Sequence, residues 1–262
     1  MDLPSLPVAR QRAFTVLANP EVPLREVGSI VEADPGLTAA LLRAANSAAY
    51  APLKRIGTAN GAIVRIGLAM TRRILASAAL GQSFAAVQHA GIAVDDLWAH
   101  AVATALLADA SAWADGPHTE AFTAGLLHPI GRLAMAVEDP SLYQRVVRRV
   151  HAGEAPLEAE EAVFGRDSAQ WGTEVARAWD FPDHIVDAIA DCYSGEGSPL
   201  GRVVWNARRI TWSLGYGDGL QRPREVTFDP DSEDGSILAN LGGPNALDAQ
   251  IRWYSGAMTD AA

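Results

Sequence analysis

Two histidines carry the types and settings best suited to chemistry. His100 sits inside "LWAHAVATALLADA", and His128 closes "AFTAGLLHPIGRLAM" directly before a proline. A helical phosphohydrolase needs several His and Asp side chains converging on one point, because a metal cation must polarise the phosphoryl oxygen and activate water. The residue beside His128 is Pro129, which offers no ligand atom and lacks even a backbone N–H. Asp95 and Asp96 stand where acids complement a helix N-terminus, Asp109 lies further along the same segment, and Asp115 falls in a loop. The residues alone therefore favour His100 and His128 as hydrogen-bonded interior histidines over metal ligands.

The remaining candidates are weaker. His89, His118, His151 and His184 occupy loop or helix-end positions and are expected in solvent. Cys192 lies on an apolar helix and reads as an inert core thiol. Arg132, one turn past His128, and Arg177 are cations that could pair with a phosphate or carboxylate, although helix arginines usually point into water. There is no glycine-rich phosphate loop, since "GYGDG" follows no strand and precedes no lysine, and no G-x-S-x-G elbow.

The elements that must position these residues read as helices throughout. Apolar residues recur at three- and four-residue spacing to about residue 215, and alternating β-branched runs are nearly absent, which predicts an all-α fold. Asp34 before Pro35 is an N-cap with proline in the first turn; Leu37, Leu41 and Ala44 form the apolar face, which ends at Asn46-Ser47. Thr58 caps a short helix bearing Ala62, Ile63 and Ile66, and Gly67 interrupts it before "LAMTRRILASAALG". "DDLWAHAVATALLADASAW" is apolar almost all round, so its helix belongs at the centre. Three further helices, "APLEAEEAVFG", "DSAQWGTEVARAWDF" and "PDHIVDAIADCY", are divided by Gly165 and by Phe181-Pro182. From Tyr216 the texture turns polar and glycine-rich, with only "NALDAQIRWYSGAM" regaining helical periodicity, so a mobile or loosely packed tail is expected there.

Composition narrows the class. A chain of 262 residues with 49% hydrophobic and 20% charged residues can build a real core. Its net charge of −10 repels a polyphosphate backbone, and the one basic pair, Arg72-Arg73, is thin, so nucleic acid is not an expected partner. Residues 216–262 carry eight acids against three arginines and hence half of that charge. A single cysteine, the lack of a signal-peptide apolar region and the lack of an 18-residue apolar run suit a cytoplasmic protein off the membrane.

Five separated stretches resemble, in order, the HDOD domain, the HD-related output domain of bacterial signalling proteins. They are "EADPGLTAALLRAANSAAY", "GTANGAIVRIG", "LWAHAVATALLA", "EAFTAGLLHPIGRLAM" and "WGTEVARAWDFPDHIVDAI". The resemblance covers about residues 8–215. It implies an N-terminal helical subdomain (about 8–90) packed on a degenerate HD-like helical core (about 91–215), with 216–262 as an acidic loop and C-terminal helix. In the catalytic HD superfamily the ligands are a first histidine, a His-Asp dyad and later His or Asp residues. Position by position, the resemblance puts His100 at the first histidine and His128-Pro129 at the dyad. It further puts Ser168 where a histidine is often written, and Cys192-Tyr193 where a His-His pair frequently stands.

The reading that follows is a non-enzymatic output or regulatory module acting through protein–protein contact, with no catalytic residues, no metal and no cofactor. Its partner is a signalling protein of unassigned identity. The expected binding surface includes Asn46, Ser47, Tyr50, His100, His128 and Arg132 and the groove between the two subdomains, although Asn46-Ser47 also fits a plain helix C-cap. Two alternatives are a residual metal-dependent phosphohydrolase centred on His100 and His128, and a sensor that binds a nucleotide or metabolite in the vacated metal pocket.

Overall fold

The computed structural model describes residues 22–50, 55–85, 87–115, 120–223, 225 and 227–259. The expected domain start at residue 8, and His118, lie outside them. The described residues are helical without a strand. In chain order the helices are α1 (Leu24–Ala33), α2 (Pro35–Ala45), α3 (Ala59–Ile66), α4 (Leu68–Ala85), α5 (Val94–Asp115), α6 (Ala121–Leu127) and α7 (Ile130–Glu138). There follow α8 (Pro140–His151), α9 (Pro156–Phe164), α10 (Ser168–Ala178), α11 (Asp183–Asp191), α12 (Pro199–Ser213), α13 (Glu233–Asn240) and α14 (Pro244–Thr259).

Local chemistry sets most of these boundaries. The Asp34 carboxylate accepts from the backbone N–H groups of Gly36 and Leu37 at 2.8 and 3.1 Å, and Pro35 opens α2. Thr58 caps α3 through the Gly61 N–H, and Gly67 at φ +84° ends it in a conformation that side chains resist. Asp167 and Gln170 form a reciprocal capping box on α10. At the other critical junction the ring of Pro129 cannot continue α6, so the chain turns at His128 and restarts as α7 at Ile130.

Helix α5 is the axis of the molecule. Leu97, Ala101, Val102, Ala103, Ala105, Leu107 and Ala108 are all fully enclosed, because α4, α6, α12, α13 and α14 pack around it. Its alanines permit close approach: a Cβ on Gly125 of α6 would stand 2.8 Å from the Cα of Ala105. Helices α7 and α10 meet still more closely, where a Cβ on Gly131 would fall 1.9 Å from the Ser168 carbonyl oxygen.

The C-terminal segment corrects the expectation of a loose tail. Leu220, Ile237, Leu238, Leu247, Ile251 and Tyr254 are buried in the core. Helix α14 packs on α2, α4 and α5, with Tyr254 against Phe122 and the Trp98 indole N–H donating to Ser255 Oγ at 3.1 Å. A helix the sequence had hidden in its polar run, α13, is capped by Ser232. Few apolar residues per turn sufficed, because the face they complete is the flank of an already hydrophobic α5.

Candidate functional site

His100 from the middle of α5 and His128 from the α6–α7 turn are both 2% exposed, and their rings stand edge to face with centroids 5.3 Å apart. The tertiary fold thus brings together two histidines 28 positions apart. Each uses Nδ1 on a backbone carbonyl, His100 on Tyr216 at 3.1 Å and His128 on Gly125 at 2.6 Å. A carbonyl only accepts, so both Nδ1 atoms carry the proton and both Nε2 atoms present a lone pair. Burial, and after it the charge of Arg208, lowers the His100 pKa to about 4 and holds His128 well below its ordinary value, so both imidazoles are neutral near pH 7.

The carboxylates of this interior are engaged elsewhere. The buried guanidinium of Arg132, on α7, donates to Glu160 Oε1 at 3.1 Å and to the carboxylate and carbonyl of Asp218 at 3.0 Å each. Glu160 also accepts the Tyr143 hydroxyl at 2.7 Å and the Ser168 N–H at 3.0 Å. Asp218 closes its own turn by accepting from the N–H groups of Leu220 and Gln221. Burial alone would raise the Asp218 pKa, but Arg132 overrides it and holds the carboxyl down at about 2.

On the far side, Ser168 Oγ donates to the Tyr193 hydroxyl at 3.4 Å, and the Arg208 guanidinium lies 4.1 Å over the Tyr193 ring. Arg208 donates to the Cys192 carbonyl at 2.8 Å. Cys192 is fully buried, and burial pushes its thiol up to about 12, away from the thiolate form.

The HD relationship implies a metal centre, and the residues do not fit one. Each histidine offers a single lone pair, the positions that the resemblance sets against the dyad carboxylate and later ligands hold Pro129, Ser168, Cys192 and Tyr193, and Glu160 and Asp218 are paired to a guanidinium. Among the described residues no group of three or more His, Cys, Asp or Glu could hold a metal ion.

The expected binding surface splits into two parts. His100, His128 and Arg132 (3% exposed) are interior and present no surface. Asn46, Ser47 and Tyr50 sit partly exposed in the turn after α2. The Asn46 amide is fully engaged, donating to the carbonyls of Leu42 and Ile56 and accepting the Ile56 N–H, so it clamps the end of α2 to the chain entering α3. Arg177 is exposed; Arg72 donates to the Val22 carbonyl, and Arg73 pairs with Asp109 and lies over Phe122. A surface groove of about 970 Å³ lies instead between the start of α5, the end of α8 and the segment Gly219–Thr227, with Trp212 in its wall.

Sequence reasoning missed Glu160, Asp218, Tyr143, Tyr216 and Arg208. Glu160 is one of three glutamates in "LEAEEAVF" with nothing to mark it from solvated Glu158 and Glu161, and Asp218 lies in the glycine-rich turn read as a plain loop.

An all-helical domain whose interior encloses a pair of histidines is the class defined by this fold and site. The chain belongs to the HDOD domain family, whose profile matches residues 3–194. It is 24% identical over 192 residues to an uncharacterised Treponema pallidum protein, matching 72% of this chain and spanning only 37% of that protein. In fold it resembles a Geobacter sulfurreducens HDOD domain protein of unknown function (23% identity, TM-score 0.72, 98% of this chain and 93% of that one). It likewise resembles a Shewanella amazonensis SB2B protein provisionally named a phosphohydrolase (24%, 0.73, 99% and 95%). A third is a Marinobacter aquaeolei VT8 protein provisionally named a signal transduction protein (22%, 0.67, 99% and 59%). At these identities the likeness is one of fold. No helix among the described residues is long and apolar enough to cross a membrane.

Proposed function

We propose that the chain is a signal-transduction output module that acts through protein–protein contact and catalyses no reaction. One observation carries this reading: the buried Arg132 guanidinium holds the carboxylates of both Glu160 and Asp218, so neither is free to ligate a cation. A permanent side-chain cation cannot lower the pKa of a bound water as a metal does, nor offer an open coordination position. The protein name carried by the Marinobacter relative agrees with a signalling role. The partner contacts the exposed face, and the partly exposed turn at Ser47 and Tyr50 is the portion of the expected surface that a partner can reach.

The test has two parts. Chain purified without chelator, then incubated with manganese or iron, is assayed against phosphomonoesters, nucleotides and cyclic dinucleotides; no turnover is expected. Metal-dependent turnover that disappears in His128→Ala would overturn the proposal and restore the phosphohydrolase reading. A photo-crosslinker placed at Ser47 in living cells is then expected to trap a defined signalling protein, with capture lost on Tyr50→Asp.

A further inference from the structure

Charge is spread unevenly along this acidic chain. The stretch from Pro35 to Val94 holds six of the 21 lysines and arginines and none of the 31 aspartates and glutamates, in a chain of net charge −10. A run of that composition carries a local positive potential that the rest of the chain does not share. Part of it is engaged on folding, since Arg73 pairs with Asp109 and Arg72 donates to the Val22 carbonyl. Arg55 and Arg65 are exposed and form no ion pair among the described residues.

Hydrogen bonds bring both arginines to one place. Asn46 clasps the backbone of Ile56, donating to its carbonyl at 2.9 Å and accepting its N–H at 2.8 Å, which fixes the neighbouring Arg55 beside the turn after α2. Arg65, near the end of α3, donates to the Tyr50 carbonyl in the same turn at 2.5 Å. Next to Arg65 stands Val64, 73% exposed and the one large apolar side chain exposed among the described residues. Ala59, Ala62, Ile63 and Ile66 already seat α3 on the core, and valine is a poor helix former, so neither packing nor helix propensity accounts for a valine here. An apolar side chain between unpaired guanidiniums and a tyrosine has the composition of a protein-binding hot spot.

We propose that the turn at Ser47–Tyr50, Arg55 and the exposed side of α3 at Asn60, Val64 and Arg65 dock an acidic protein segment carrying an apolar side chain that seats on Val64. On the output-module reading, on which this rests, the turn is one edge of the partner surface, and the arginines now define the partner's charge. Carboxylates of the segment accept from Arg55 and Arg65; opposite sign speeds encounter and fixes orientation more than it adds affinity. One exposed valine falls far short of the apolar face that a membrane-surface helix buries, and two unpaired cations on a chain of net charge −10 are few for a polyphosphate backbone. An acidic segment is therefore favoured over lipid or nucleic acid.

The whole chain, labelled with nitrogen-15, is titrated with a synthetic peptide of glutamates around a central leucine and followed by amide NMR. Saturable shifts are expected at residues 46–50, 55–57 and 60–67, with affinity falling as salt rises, because exposed charges are screened. Glutamine in place of the peptide's glutamates, or Arg55→Glu or Val64→Asp in the chain, is expected to weaken binding about threefold or more. Both substituted positions are exposed, and the dispersion of the amide spectrum shows directly that each variant folds. The proposal is overturned if the glutamate peptide gives no saturable shifts, if the shifts lie elsewhere, if the Arg55→Glu and Val64→Asp chains bind it unchanged, or if single-stranded DNA or phosphatidylserine vesicles bind these residues more tightly. A signalling protein trapped from Ser47 while the peptide fails would strike the acidic segment and leave the output module standing; peptide binding with no trapped protein would keep the acidic site and count against the module.

Discussion

Arg132 and Asp218 are joined twice, the same guanidinium nitrogen donating to the carboxylate and to the carbonyl at 3.0 Å, across 86 positions of sequence. That junction ties α7 to the segment after α12 and closes the interior over the histidine pair. Since Glu160 uses the other side of the guanidinium, removal of Arg132 strands two buried carboxylates at once. Arg132→Met is expected to destabilise the chain by about 3–5 kcal/mol, read as a lowered urea midpoint. Arg132→Lys recovers little, because an ammonium lacks the planar fork that serves two carboxylates. A near-neutral Arg132→Met would show that the network is not what holds this interior.

Acid should weaken the fold before its carboxylates titrate. An unfolded histidine takes up its proton near pH 6.5, whereas burial keeps folded His100 neutral down to about 4 and holds His128 well below its ordinary value. Between these values the unfolded state binds more protons, so stability falls as pH falls, by about 1.4 kcal/mol per pH unit for each histidine. Below that range Asp218 adds a second loss: its folded pKa of about 2 contributes stability present above its unfolded value and lost as pH drops through 4 towards 2. Urea midpoints measured from pH 7.5 to 5 should decline steadily. His100→Asn, whose amide can still donate to Tyr216, should halve the slope; a flat profile in the unaltered protein would refute the neutral, buried pair.

Gly131 admits no side chain. Its Cβ would overlap the Ser168 carbonyl and lie 2.6 Å from the Gly172 nitrogen, both backbone atoms of α10 that cannot swing aside. Gly131→Ala is expected to cost about 3 kcal/mol, with a corresponding fall in Tm. Gly57→Ala, where nothing lies within 4 Å, is the control and should shift stability by no more than about 0.5 kcal/mol.

The C-terminal helix is a structural member. A chain ending at Gly243 loses Leu247, Ile251 and Tyr254 from the core, at about 1.5–3 kcal/mol each, a sum comparable with the whole stability of a domain. Such a truncation is expected to give insoluble or molten protein. In the full chain, the amides of Leu247–Tyr254 should exchange with solvent orders of magnitude more slowly than a free peptide; rapid exchange there would restore a loose tail.

Much of the fold was legible because it is written in local rules. The Asp34-Pro35 start of α2, the Thr58 cap and Gly67 stop of α3, the all-round apolar α5 and the Pro129 break each depend on residues within a turn of one another. The same local signals marked His100 and His128 as interior. Arg132 was misplaced because a helix arginine reads as solvated by default, and only contact with Glu160 and Asp218 reveals that it is enclosed.

By itself the sequence determined that this chain is helical and where most helices start and stop. Tertiary structure alone decided that the acidic C-terminal segment closes the core, that Arg132 holds two distant carboxylates, and that His100 and His128 meet in the interior. The division has a physical cause. Caps, breaks and periodicity act over one or two turns, whereas the burial of a charge depends on partners brought together from 28 and 86 positions away, which no local pattern records.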